Sequence, residues 1–197
     1  MLSISVKYTK DMPVLYKTFH FIRNHFSTLL ALGLIAAFGR VLQLGGFGQI
    51  SPVFNSVLEV VIQSSRIFLF VFVLGESNIW KGWNQILRFF TQKKSRKLQL
   101  RSALTTFKQK WLIIIVSLSG YSFFAFLMNY LIDASAYQTC FLLHLKTNNI
   151  LETTASEWSM LLFLKNISVI PFTIIFETLL ILWLSNNTRF ASAAGMS

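Results

Sequence analysis

Four long apolar blocks constrain this chain more than any other feature of its sequence. They cover residues 26–44, 53–75, 111–132 and 159–184, and most of the lysine and arginine lies between them. A run of about 18 or more mainly apolar residues is long enough to cross the hydrocarbon of a bilayer as a helix. The sequence therefore predicts an all-α integral membrane protein, a bundle of about four transmembrane helices.

Charge content supports a membrane protein and argues against a nucleic-acid-binding protein. Only 13% of the 197 residues are charged and the mean hydropathy is +0.57, whereas soluble domains carry roughly 25% charged residues. The formal net charge of +11 would suggest nucleic-acid binding if the basic groups covered a folded surface. Here they lie in short connections with no room for a base-reading fold, so we expect no nucleic-acid partner.

The connections between the blocks differ in composition. Residues 45–52 are rich in glycine and end in Pro52, which favours a tight turn between the first two spans. Residues 76–110 hold nine basic residues against one acid and cannot cross a bilayer. Residues 133–158 form a mixed polar loop in which Thr154 to Glu157 has capping-box spacing, so we expect the fourth helix to begin there, with a kink at Pro171.

Basic residues indicate the orientation of the spans, because lysine and arginine are retained on the cytoplasmic side. Nearly all of the lysines and arginines outside the spans lie in an amphipathic segment at 1–25, the loop 76–110 and a tail at 185–197. The loop 133–158 holds only Lys146. We therefore predict that both ends are cytoplasmic. The predicted location is a bacterial inner membrane, which the chain crosses several times.

The segments beside the spans are amphipathic. Apolar side chains recur at helical spacing over 14–26 and again over 79–90, opposite basic and polar ones. Such helices either lie in the headgroup layer or extend the spans into the cytoplasm, and the residues leave both interpretations open. A basic run follows, which is either a topology signal alone or a contact for anionic lipid or a partner protein: Lys93, Lys94, Arg96 and Lys97.

Charged side chains inside the apolar blocks are the most informative residues for function. A charge at the bilayer centre costs roughly 2.5–3.5 kcal/mol on insertion scales, so these groups should face protein or water. We predict a polar seam through the bundle, with Glu59 between Arg40 and Lys165, and Glu177 against Arg66. The members of this seam are Arg40, Glu59, Gln63, Arg66, Lys165 and Glu177.

Two interpretations of the seam stay open at the level of sequence. In the structural one, Arg40 and Lys165 extend to the outer headgroups and the other charges form pairs that fix helix packing. In the functional one, the seam is a site or path for an ion, a proton or an anionic lipid headgroup. On the first helix, Gly33 and Ala37 also have the small-xxx-small spacing that lets membrane helices approach closely.

Other chemistry finds little support. His20, His25 and His144 are scattered, Cys140 is the only cysteine, and no HExxH, GxSxG or phosphate-binding glycine loop occurs. We therefore expect no metal, no cofactor and no catalytic residue.

Three classes of function remain. The first is a non-enzymatic subunit or scaffold of a membrane complex, in contact with anionic headgroups on the cytoplasmic side, as a homo-oligomer or with other membrane proteins. The second is a small transporter or channel component that uses Glu59, Arg66 and Glu177. The third is a membrane-embedded enzyme, for which the candidates are residues near the outer loop: Asp133, His144, Glu152 and Glu157.

Overall fold

The structure is a computed structural model that describes residues 14–137, 141–153 and 155–186, without the side chains of 94–96, 98, 99, 102 and 141. Cys140, Thr154, residues 1–13 of the predicted amphipathic segment and residues 187–197 of the predicted tail lie outside these residues. The helices of the described part are α1 (Val14–Asn24), α2 (Phe26–Gln43), α3 (Pro52–Leu74), α4 (Ile79–Thr91), α5 (Lys93–Gln109), α6 (Trp111–Tyr137), α7 (Phe141–Thr147), α8 (Glu157–Ile167) and α9 (Val169–Asn186).

Four helical stretches are long and apolar enough to cross a membrane, and they fall on the four apolar blocks. They are α2, α3, α6 and the stretch Glu157–Ser185, which consists of α8 and most of α9. Each is made mainly of apolar residues. Its backbone N–H and C=O groups bond to one another within the helix, which is necessary in lipid because no water is present to bond to them. The predicted class, an all-helical membrane protein with about four spans, is confirmed.

The third span is longer than the sequence suggests. Helix α6 continues past the predicted end at Ile132 to Tyr137, and the short helix α7 lies within the segment predicted to be a loop. Asp133, the first polar residue after the apolar run, is thus in the body of the helix. A single charge does not end a helix whose backbone bonds continue around it, so hydropathy placed this boundary too early.

The chain divides into two compact units, which we describe separately. Unit 2 comprises residues 25–70 and 123–174. Its main helix contact is between α2 and α8, and Gly33 permits it: a Cβ there would lie 3.1 Å from the carbonyl oxygen of Asn166. Ala36 and Ala37 are buried on the same part of α2. The close approach expected from small residues on the first helix is present in this contact.

The fourth span is interrupted where α8 ends and α9 begins, at Ser168. Pro171, three residues later, has no N–H to donate to the carbonyl of Ile167 four residues before it, so the helix cannot run on unbroken. Across the break the N–H of Ser168 donates to the Leu164 carbonyl and that of Phe172 to the Ser168 carbonyl. The irregularity expected at Pro171 is therefore a single non-helical residue, Ser168, three residues before the proline, and helical hydrogen bonds continue across it.

Unit 1 comprises residues 14–24, 71–122 and 175–186 of the described chain. Helix α3 ends in a Schellman motif: the N–H of Ser77 donates to the Phe72 carbonyl and that of Glu76 to the Val73 carbonyl. Glu76 adopts the left-handed conformation, with φ 53°, and its carboxylate pairs with Lys81. The chain therefore turns sharply into α4.

Two glycines make this turn possible. A Cβ at Gly75 would collide with the carbonyl oxygen of Asn78, and a Cβ at Gly82 would collide with that of Val71. The Asn78 side chain caps α4 by accepting a hydrogen bond from the N–H of Lys81 at 3.1 Å. The end of α3 and the first turn of α4 are thus in direct backbone contact.

Helix α6 is the least covered of the spans. Only 11% of its most apolar 18-residue window is buried, against 39% for α3. Large apolar side chains lie exposed along most of its length, among them Val116, Phe123, Phe126 and Tyr130. In a bilayer this surface contacts lipid or another protein.

Candidate functional site

The most extensive polar cluster within the spans is in unit 2, around Glu59. The guanidinium of Arg40 donates two hydrogen bonds to the Glu59 carboxylate, from Nη1 at 2.7 Å and from Nη2 at 3.1 Å. The Gln63 amide donates at 2.7 Å and the Gln43 amide at 3.2 Å. Four donors occupy this carboxylate, which has about four lone-pair positions.

Arg40 is also held from its own helix, because its Nη1 donates to the Gln43 side-chain oxygen at 2.6 Å. The spacing of 40 and 43 on α2, and of 59 and 63 on α3, places each pair on one helical face. A saturated cluster of this kind fixes α2 against α3. It leaves little capacity on Glu59 to accept a proton or coordinate a passing ion.

Lys165 does not join this cluster, contrary to the predicted seam. Its Nζ lies 3.7 Å from the Asp133 carboxylate, so α8 pairs with α6 at this point. Asp133 is available because α6 extends beyond the predicted end of the third span. Sequence reasoning assigned Asp133 to the outer loop and so missed it as the partner of an intramembrane lysine.

Arg66 likewise has a partner other than the predicted one. Its Nη2 donates to the side-chain oxygen of Asn166 at 2.8 Å, and the Asn166 amide donates to the Leu162 carbonyl at 2.7 Å. Asn166 is 1% exposed. Within unit 2 Arg66 thus bonds to a neutral side chain, and its predicted pairing with Glu177, which belongs to unit 1, stays a prediction. The helical spacing of Asn166 and Thr173, which places both on one face of the fourth span, was the available signal for this contact. The prediction chose a charged partner for Arg66 instead of an amide.

A cleft adjoins Arg66 in unit 2. It contains about 220 Å³ of empty space, counted out to its open side, and its enclosed part has room for about one water molecule. Ser65 contributes to one wall and donates to the Leu32 carbonyl at 2.6 Å. The lining side chains are otherwise mostly apolar or small: Leu32, Gly33, Ala36, Leu69, Ile170, Pro171 and Ile174.

Glu177 lies in unit 1, on α9, and is exposed. It is eight residues from Ser185, the end of the fourth candidate span, or roughly 12 Å along the helix. The ion pairs of the described residues do not include it. A carboxylate is therefore presented on the outer surface of a span, well inside its apolar length.

The basic run begins α5, and Lys93 and Lys97 are exposed there, while the side chains of Lys94 and Arg96 lie outside the described part. Helix α4 before it presents exposed apolar groups beside basic ones. Its exposed large apolar side chains are Ile79, Trp80, Trp83, Leu87, Phe89 and Phe90. The amphipathic helices predicted at 14–26 and 79–90 are present as α1 and α4.

The residues considered for an enzyme do not form a catalytic group. Asp133 is engaged with Lys165, and His144 on α7 contacts the amide of Asn148, just past the end of that helix, at 3.1 Å. Glu152 and Glu157 are exposed. Within the described ranges, no three His, Cys, Asp or Glu side chains lie close enough together to hold a metal ion.

Comparisons of the chain with protein-family models, with curated proteins and with solved structures find no match.

Proposed function

We propose that this chain is a non-enzymatic subunit of a membrane complex, located in a bacterial inner membrane with both ends cytoplasmic. The observation that carries the proposal is the exposed carboxylate of Glu177 within the fourth span. A charge facing hydrocarbon is costly, at roughly 2.5–3.5 kcal/mol on insertion scales. A polar or cationic group from a neighbouring protein would remove that cost.

Further exposed surface within the spans supports assembly. Gln63, a polar side chain within the second span, is exposed. Polar side chains on membrane helices form interhelical hydrogen bonds, and small or polar residues are enriched where such helices meet. Helix α6, which is largely uncovered, adds an extended apolar surface for a neighbour.

A subunit accounts for the polar groups of the spans better than a transporter does. A transport path needs acidic groups that are free to exchange a proton or an ion, whereas Glu59 is occupied by four donors. Lys165 is engaged with Asp133. These arrangements favour a role in packing.

Replacing Glu177 by glutamine tests the proposal. If Glu177 meets a cationic or hydrogen-bonding group of a neighbour, Glu177→Gln should reduce the yield of the complex about tenfold, which corresponds to a loss of about 1.4 kcal/mol. The matched control is Glu157→Gln, an exposed glutamate at the start of the fourth span. The complex would be isolated in native nanodiscs, and mass photometry would give its mass. Quantitative mass spectrometry would identify its subunits and their stoichiometry, and co-expression of differently tagged copies would detect self-association.

The stability of the isolated variant separates assembly from folding. Because Glu177 has no ion pair within the described chain, Glu177→Gln should leave the unfolding midpoint of the purified protein unchanged or raise it. A wild-type chain recovered as a monomer with no stoichiometric membrane partner would overturn the proposal. So would an unchanged yield of complex for Glu177→Gln.

A further inference from the structure

Charge balance distinguishes Arg66 from the other cations within the described spans. Arg40 has the carboxylate of Glu59 and Lys165 has that of Asp133. Arg66, eight residues from Leu74 and so roughly 12 Å from that end of α3, forms no ion pair in the described part of the chain. An arginine stays charged at any physiological pH, so this position requires compensation from elsewhere.

The hydrogen bonding of Arg66 is also incomplete. Its Nη2 donates to Asn166, but its Nε is buried and has no acceptor among the described residues. A buried donor left unpaired loses its hydrogen bond to water without replacement, and the cost is higher when it belongs to a charged group. The guanidinium therefore combines an uncompensated charge with an unfilled donor position.

The surroundings of Arg66 provide space and polarity for an acceptor. The cleft described above reaches from Arg66 and Ser65 to Ile170 and Pro171, which belong to the first turn of α9. Gly33 and Ala36 keep this part of the cleft free of bulky side chains.

We propose that the Arg66 cleft binds an oxyanion of the phosphate class, either a phospholipid headgroup or free inorganic phosphate. Arg66 lines the cleft, whose enclosed part has room for about one oxygen atom, so the remainder of the group occupies the open side. Arginine suits this ligand because its planar set of donors matches the geometry of phosphate oxygens. The site is independent of the proposed assembly through Glu177, which lies in the other unit.

The test measures thermal unfolding of the purified full-length chain in neutral detergent at constant ionic strength. One arm adds sodium phosphate and the other adds short-chain phosphatidic acid, because a ligand that binds only the folded chain raises its unfolding midpoint saturably. The variant Arg66→Gln should weaken binding at least tenfold, since hydrogen bonds to charged groups are among the stronger ones in proteins. Lys97→Gln, which removes an exposed charge on α5, is the matched control and should bind as the wild type does.

A second variant keeps the test valid if Arg66→Gln fails to fold. Asn166→Asp retains Arg66 and gives it an internal carboxylate, so the external oxyanion should bind at least tenfold more weakly although the cation is present. Saturation by phosphate identifies a soluble anion, and saturation by phosphatidic acid alone identifies a lipid headgroup. The proposal is wrong if neither ligand gives a saturable shift, or if Arg66→Gln and Asn166→Asp respond as the wild type does.

Discussion

Glu59 illustrates how a carboxylate is accommodated within an apolar helix. Four donors from Arg40, Gln43 and Gln63 converge on it, so its charge is satisfied by side chains of α2 and α3. The sequence analysis named three members of this cluster as polar residues within the spans, Arg40, Glu59 and Gln63, but it did not name Gln43. The partners of Lys165 and Arg66 were not identifiable, because they depend on how far α6 extends and on the rotation of α8.

A double-mutant cycle measures this cluster. Arg40→Gln or Glu59→Gln alone leaves a charge without its counter-charge. The losses of unfolding free energy in the two single variants should therefore add up to more than the loss measured for the double variant. We expect a coupling energy of about 1–2 kcal/mol, in the range of the stronger polar contacts measured between membrane helices. Reversible unfolding in bicelles is the appropriate measurement.

The pair of Lys81 with Glu76 serves as the comparison for that cycle. Both of its side chains are more than half exposed, and exposed pairs typically contribute less than about 1 kcal/mol. Equal coupling energies for the two pairs would show that the cluster around Glu59 is not a fixing point between α2 and α3.

At the scale of the helix, the length of the apolar runs located the spans. Backbone chemistry explains where the observed helices differ from the predicted ones. The sequence predicts a kink at Pro171, and the structure has a one-residue interruption three residues earlier, at Ser168. Periodicity also anticipated α1 and α4. The end of α6 was placed wrongly because hydropathy reports where apolar residues stop, while a helix ends where its backbone hydrogen bonds stop.

The contact between α3 and α4 predicts a large difference between two glycines. Gly82→Ala should lower the free energy of unfolding by about 1–3 kcal/mol, the usual cost of overpacking, because the new Cβ collides with the Val71 backbone. Gly120→Ala should cost less, since its Cβ meets only the end of the flexible Leu15 side chain at 3.0 Å. Thermal unfolding of both variants in one detergent gives the comparison, and equal losses would contradict the close contact at Gly82.

At the scale of the whole chain, the charge distribution predicts which side of the membrane each connection occupies. With Cys140 replaced by serine, a single cysteine introduced by Lys93→Cys should react with a membrane-impermeant maleimide only after the cells are opened. The same label should reach Asn149→Cys, in the predicted outer loop, in intact cells. Labelling of Lys93→Cys from outside would reverse the predicted orientation.

The turn from α3 into α4 also determines where the chain tolerates engineering. Between Gly75 and Gly82 the backbone is packed against itself, so an epitope or fluorescent protein inserted there would force apart two helices that meet without intervening side chains. Asn148, Asn149 and Ile150 are exposed in a connection outside the helices. Reporter insertions belong at that connection, where the side chains are exposed and the backbone of these three residues bonds only to the short helix α7.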